Sequence, residues 1–321
     1  MTRTLLALLA ATTLSAPAFA DQIAVVNKGE DTLALVDPET LTVTATVPTG
    51  SNPHEAWTAP DGSAVYVTDY GSAEGSTVTV INPASAEVAA TWSLGPNRGP
   101  HGVWSSADGS KLWVTTEGTG TVVELDAASG ALLNTWETGQ DVSHMIVPLP
   151  GGEKLYVTNI GSGTVTVINR ADDSVATITA GAGAEGIDVS PDGSEVWVTS
   201  RDQGEIAIID PAADEVIETI SSQGEVPIRA KFTPDGSQVW VSNAGSNAVA
   251  VFDAASRAHL GSIDVGAVPV GVLMSPDGKR AFVANTQDDR ITIIDVASRE
   301  VTGELVTGDE PDGMAWVSSA E

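Results

Sequence analysis

Three of the four histidines, His54, His101 and His144, each precede a short apolar run, and 47 and 43 residues separate them. Neutral imidazoles brought together with a carboxylate make a donor set of the kind zinc or copper uses. Three nitrogen ligands leave a tetrahedral ion one position for water, a carboxylate or a substrate. Glu185 continues the series at the next equivalent position, and Ile228, Val270 and Asp312 occupy the remaining ones. The expected metal set is His54, His101, His144 and Glu185, with Asp312 as a further candidate acid. A plainer reading stands beside it. Repeats descend from one copied unit, so a shared histidine at a strand mouth can be inherited and simply hydrogen-bond a neighbouring loop. His259 lies outside the series and is expected to meet solvent.

In a chain with 14 basic residues against 43 acidic ones, an arginine near those histidines is a candidate anion ligand. Arg98 and Arg229 lie in or next to the segments that enter the apolar runs. Lys28, Tyr70, Glu117, Arg201 and Asp288 follow the strands that come after. The expected ligand rim is Tyr70, Arg98, Glu117, Arg201, Arg229 and Asp312. Pairing with the abundant acids is the alternative for the three arginines. No GxSxG nucleophile elbow appears, so a Ser-His-Asp hydrolase cannot be argued. Gly181-Ala182-Gly183 precedes a strand and opens no helix, which removes a dinucleotide reading.

What must position these residues is a repeat. Residues 53–70 read PHEAWTAPDGSAVYVTDY, a short apolar run, a Pro-Asp-Gly turn and a β-branched, aromatic run, which is the pattern of a β-hairpin. It returns at 100–116, 143–159, 184–200, 227–243 and 269–285. Asn27, Asp69, Thr116, Asn159, Ser200, Asn243 and Asn285 close the second strand at spacings of 41 to 47 residues. Asp37, Asn82, Asp126, Asn169, Asp210, Asp253 and Asp295 mark a later turn just as often. The second unit supplies four strands, expected at 55–59, 64–69, 77–82 and 87–93, and four strands at this period make a propeller blade. The chain starts on a second strand at 22–27 and ends on a first strand at 310–319. The two termini should therefore share a blade and close the ring. The expected fold is all-β, a seven-bladed β-propeller of four-stranded blades.

Tyr66-Val67-Thr68-Asp69 and Tyr156-Val157-Thr158-Asn159, with Ser-Pro-Asp-Gly turns at 190–193 and 275–278, resemble the YVTN β-propeller repeat family. The resemblance covers essentially the whole chain after residue 20. It implies that the first strand of each blade lines a central channel. It also implies that the loops entering that strand share a face, the ligand-binding one, with the loops after the second strand. Fold alone does not carry an activity. Trp113, Trp197 and Trp240 stand at the Tyr place of the motif and are expected to pack blade against blade. Trp57, Trp104 and Trp316 are candidates for the same core.

Residues 1–20 combine Arg3, an apolar run from Leu5 and Ala18-Phe19-Ala20, which predicts a signal peptide followed by one propeller domain over 21–321. That run is too short and too broken by Thr and Ser for a lasting membrane span, and no later stretch is long enough. The absence of cysteine excludes disulfides, thiolate ligands and a CxxCH haem attachment. A net charge of −29 disfavours nucleic acid and anionic lipid as partners. The expectation is an exported, periplasmic, monomeric binding protein. It would hold zinc, copper or another ligand at the channel mouth, as scaffold or accessory to a redox or transport partner. The alternative is a metal-dependent lyase, lactonase or oxidase. Pro100-His101-Gly102 is similar to the strand-mouth motif of virginiamycin B lyase propellers, whose His and Glu surround a divalent metal. A haem-d1-type propeller is a third reading, since one axial His would suffice.

Overall fold

The β-branched runs that follow each Pro-Asp-Gly turn are buried along their length because they are covered from both sides. In the computed structural model, which describes residues 20–319, they form the middle strands of seven four-stranded antiparallel sheets arranged as propeller blades. The expected leader, apart from Ala20, lies outside the described residues. No helix among the described residues is long and apolar enough to cross a membrane.

Blade 1 consists, from the channel outward, of Pro311–Val317, Gln22–Asn27, Thr32–Asp37 and Thr42–Pro48. The last strand of the chain pairs antiparallel with the first, from Gln22 opposite Val317 to Asn27 opposite Pro311. Both faces of this shared blade are packed. One side sets Ala24, Val26, Ala315 and Val317 against Ala56, Val65 and Val67. The other sets Ile23, Val25, Ala34 and Val36 against Phe282, Ala284, Ile291 and Ile293. The ring closes through both termini, as the terminal fragments require.

Blade 2 is Pro53–Thr58, Val65–Asp69, Thr77–Asn82 and Glu87–Ser93. Blades 3 to 7 begin with the inner strands Pro100–Ser105, Ser143–Pro148, Ala184–Val189, Pro227–Phe232 and Pro269–Met274. The aromatic phase of the second strand, Tyr66, Trp113, Tyr156, Trp197, Trp240 and Phe282, is almost wholly buried and fills the wedge between neighbouring blades. In blade 1 the equivalent residue is the small Ala24.

The inner strand of blade 2 begins at Pro53, two residues earlier than the sequence pattern places it. The cause is a β-bulge. Pro53 lies opposite Asp69 and Ala56 opposite Val67, so His54 and Glu55 together face the single residue Thr68. The same irregularity recurs in every inner strand, at His101-Gly102, His144-Met145, Glu185-Gly186, Ile228-Arg229, Val270-Gly271 and Asp312-Gly313. A bulge re-aims side chains and frees a backbone N–H from the ladder, and here the threonine of the repeat motif takes up that N–H. The amides of Glu55, Gly102, Met145, Gly186 and Arg229 donate at 2.8 to 3.1 Å to the hydroxyls of Thr68, Thr115, Thr158, Thr199 and Ser242. Those hydroxyls then donate to the carbonyls of His101, His144, Glu185, Ile228 and Val270, the strand-mouth residues of the next blade. Blades 2 to 6 thus each pin the bulge of the next blade.

Candidate metal centre

The bulges carry His54, His101, His144, Glu185 and Asp312 to one end of the channel, where they meet Lys28, Tyr70, Glu117 and Arg201 from the loops after the second strands. His54 Nδ1 lies 2.9 Å from His101 Nε2, so one ring donates and the other accepts. The rings of His101 and His144 are tilted against each other by 35°, with centroids 3.8 Å apart. His144 Nδ1 is hydrogen-bonded to Glu117 Oε1, and Tyr70 donates its hydroxyl proton to Glu117 Oε2 at 2.7 Å. Glu185 lies 3.8 Å from His144 Nε2, and its other oxygen accepts from Arg201 at 2.9 Å. Asp312 pairs with Lys28 at 3.2 Å and approaches His54 Nδ1 at 3.6 Å.

Burial sets the charge states. His101 is almost fully buried, and desolvation, reinforced by His144, His54 and Lys28, pushes its pKa well below the imidazole range. Desolvation likewise lowers His54 to about 4, against the pull of Asp312. His144 is the opposite case. Burial works against its charge, but the hydrogen bond and charge of Glu117, helped by Glu185 and Asp312, outweigh it and raise its pKa. Glu117 answers in kind: burial would raise it, while His144 and the Tyr70 hydroxyl bring it below the usual carboxylate value. The mouth therefore favours neutral His54 and His101 beside a His144–Glu117 pair in which the charged forms are stabilised.

His101, Glu117 and His144 each offer a donor atom within 4.8 Å of the other two, the spacing one ion can bridge. His101 Nδ1 is buried and has no hydrogen-bond partner among the described residues. An unmet buried nitrogen is costly, and a cation on the open side of the ring would satisfy it. The donor chemistry, two imidazoles and a carboxylate, fits zinc or copper.

The structure therefore gathers the four residues of the expected metal set, but the carboxylate that touches an imidazole most directly is Glu117, placed on the rim by sequence reasoning. Glu185 is tied to Arg201 instead. Of the other rim residues, Arg98 is exposed and pairs with Glu74 at 3.4 Å, away from the cluster. Asp288 accepts from the Ala267 amide at 2.6 Å and serves its own loop. His259 is exposed and 3.1 Å from Ser262 Oγ. Arg229 sits below the histidines, buried in an ion pair with Glu55 across the channel. Glu55 was missed. Its signal is the second bulge position, which reads Glu55, Gly102, Met145, Gly186, Arg229, Gly271, Gly313 around the ring. At Gly102, Gly186, Gly271 and Gly313 an added Cβ would lie within 2.6 Å of a carbonyl on the adjacent inner strand. At those four positions the close backbone leaves no space for a side chain, so Glu55, Met145 and Arg229 are the second bulge residues that carry one.

The model for a family described as lactonase, 7-bladed beta-propeller, matches residues 21–264. The chain belongs to this lactonase family. No curated protein matches it. This lactonase-family propeller is similar to a functionally unknown protein from Desulfotomaculum acetoxidans DSM 771, at TM-score 0.80 and 16% identity over 92% of this chain and 99% of that one. It is similar to Kuenenia stuttgartiensis hydrazine synthase, at TM-score 0.73 and 19% identity, covering 82% and 89% of the two chains. A third likeness, at TM-score 0.68 and 16% identity over 91% of this chain and 74% of the other, is to the dihydro-heme d1 dehydrogenase NirN in complex with DHE. At these identities the likeness is one of fold.

Proposed function

We propose that this propeller is an exported, periplasmic binding protein that holds one divalent transition metal ion, zinc or copper, at the mouth of its channel. His101, Glu117 and His144 are the ligands, with His54 and Glu185 beside them and Asp312 behind His54. The observation that carries this reading is the convergence of His101, Glu117 and His144, whose donor atoms lie within 4.8 Å of one another, together with a buried nitrogen of His101 that has no partner among the described residues. The repeat resemblance to YVTN proteins and the leader-like first 20 residues support the placement outside the cytoplasm. Exposed mouth-side loops would then present the ion to a redox or transport partner.

Metal uptake must displace the proton of His144, whose pKa the hydrogen bond and charge of Glu117 raise above the usual imidazole value. Binding should therefore release a proton and begin to weaken already above that value as the solution is acidified. Titration calorimetry of metal-free protein with zinc and with copper tests this. Wild type should bind one ion, His101→Ala and Glu117→Gln should bind at least ~10-fold more weakly, and His259→Ala should match wild type. Equal affinity in wild type and His101→Ala would sink the site.

Family membership favours a second reading, a metal-dependent lactone hydrolase. The ion would polarise the lactone carbonyl and activate water at its open position, while Tyr70 and Arg201 face the same mouth. Lactone opening by zinc-loaded wild type, lost in His101→Ala, would establish it. No turnover of any lactone by fully loaded protein leaves the binding function alone.

A further inference from the structure

The inner strands run away from the histidines, and three residues beyond His54 and His101 they place Trp57 and Trp104. Those indoles stack with centroids 3.7 Å apart and 27° between their planes. Both line a cavity of 570 Å³ on the far face, where its edge carries the exposed turn prolines Pro60, Pro150, Pro191 and Pro234. Both also line an inner cavity of 260 Å³ whose wall reaches Glu55 and Arg229. The two spaces adjoin along Trp57, Thr58, Trp104, Asp188 and Lys231, and the inner part of this recess reaches the ion pair.

The charges in this wall are already matched. Lys231 lies 3.3 Å from Asp188, and Arg229 pairs with Glu55. What is unmet is one set of donors. Arg229 Nη1 is buried with no partner among the described residues, on a side chain of which about nine-tenths is hidden from solvent. A further charge brought into the recess would be desolvated without a counter-ion. A neutral oxygen acceptor would complete the guanidinium at no such cost. Around it the inner walls are indole and aliphatic side chains, with prolines at the outer edge, surfaces that favour a flat apolar ring.

We infer that this recess is a second binding site, for a neutral planar aromatic molecule bearing a carbonyl oxygen, which enters from the face opposite the histidines. The ring lies against the Trp57 and Trp104 indoles and the carbonyl accepts from Arg229 Nη1. The site is independent of the metal at the mouth.

The full chain, kept metal-free, is titrated with three probes by calorimetry and tryptophan quenching: 2-acetylnaphthalene, naphthalene and 2-naphthoate. 2-Acetylnaphthalene should bind saturably at one site. Naphthalene, which lacks the acceptor, should bind roughly 10-fold more weakly, and 2-naphthoate more weakly than the ketone. Trp104→Ala should weaken the ketone about 10-fold and leave zinc binding as in wild type. If that variant does not fold, the order of the three probes on wild type decides. No saturable binding, equal affinity for ketone and hydrocarbon, or tighter binding of the carboxylate would each overturn the inference.

Discussion

At the mouth of the channel the inner strands present imidazoles, carboxylates and their counter-ions on β-bulges. A few residues further along, the same strands present Trp57, Trp104 and Trp316 in regular pairs with Tyr66, Trp113 and Ile23. Between the two ends lies the Glu55–Arg229 pair. The difference teaches that the backbone irregularity, rather than the strand as such, decides what reaches the axis. A bulge tips two successive residues toward the channel and leaves an N–H that, in blades 2 to 6, a threonine or serine hydroxyl holds. Regular pairing keeps the side chains along the wall, where large apolar groups pack.

Removing residues 310–321 would erase the comparison altogether, because it takes Asp312 from one end and Trp316 from the other and exposes the edge of Gln22–Asn27. Thermal unfolding should show the Tm lowered by well over ~10 °C or no cooperative transition at all. A midpoint within error of the full chain would mean that blade 1 does not need its inner strand.

A cut between the two ends is next in size. Glu55→Ala leaves the Arg229 guanidinium buried and uncompensated, which should cost ~3–5 kcal/mol in denaturant unfolding. The double variant Glu55→Leu/Arg229→Leu should recover most of it. If the double variant is no better than the single one, the pair is not the barrier between the two ends.

Acid should weaken the polar end selectively. His54, at about 4, and His101, held well below the usual imidazole range by burial, bind protons less readily folded than unfolded, so stability falls as pH drops from 6.5 toward 4. His144 works the other way, its contribution present at low pH and lost as pH rises through its raised value. That contribution changes above the usual imidazole value, outside the acid range, so the Tm of metal-free protein should fall by several degrees between pH 6.5 and 4. His54→Gln/His101→Gln should flatten the fall, whereas Trp57→Phe at the other end should leave it unchanged. An equally steep fall in the double histidine variant would refute the assignment.

The smallest effect is expected where one blade pins the next. Thr115→Val removes the hydroxyl that links the Gly102 amide to the His144 carbonyl and should cost ~1 kcal/mol, a shift of a few degrees in Tm. The same change has no counterpart in blades 7 and 1, where Ala284 and Val26 already stand. A loss of Tm no larger than scatter would show that the bulge holds itself.

Repeat phase made the fold legible, since the same turn and strand pattern returns until the chain stops one strand into a blade. It also set the histidines on one rim, because residues of equal phase in a ring face one axis. The bulge was not legible. Nothing in PHEAW distinguishes a strand that begins at Glu55 from one that begins at Pro53, and the consequence was to leave Glu55 out. Glu117 was visible as a rim residue, but its bond to His144 depends on how far a loop side chain reaches inward, which spacing does not encode. The arginines were undecidable from sequence for a similar reason. Arg98 faces water from a loop while Arg229 is buried on an inner-strand bulge, and the bulge that separates the two cases is not visible in the pattern.

The pairing of Gln22 with Val317 has a meaning in time as well as in space. It joins residues almost a whole chain apart, yet loop-closure entropy grows only with the logarithm of length, by ~0.6 kcal/mol per doubling. The seam is therefore cheap to hold and slow to find. Six blades can form from neighbours in sequence while three strands of the first wait for the end of the chain. Pulsed hydrogen exchange during refolding should accordingly protect the amides of Val157 and Val198 before those of Ala24 and Ala315, and simultaneous protection would show that the circle is drawn in one stroke.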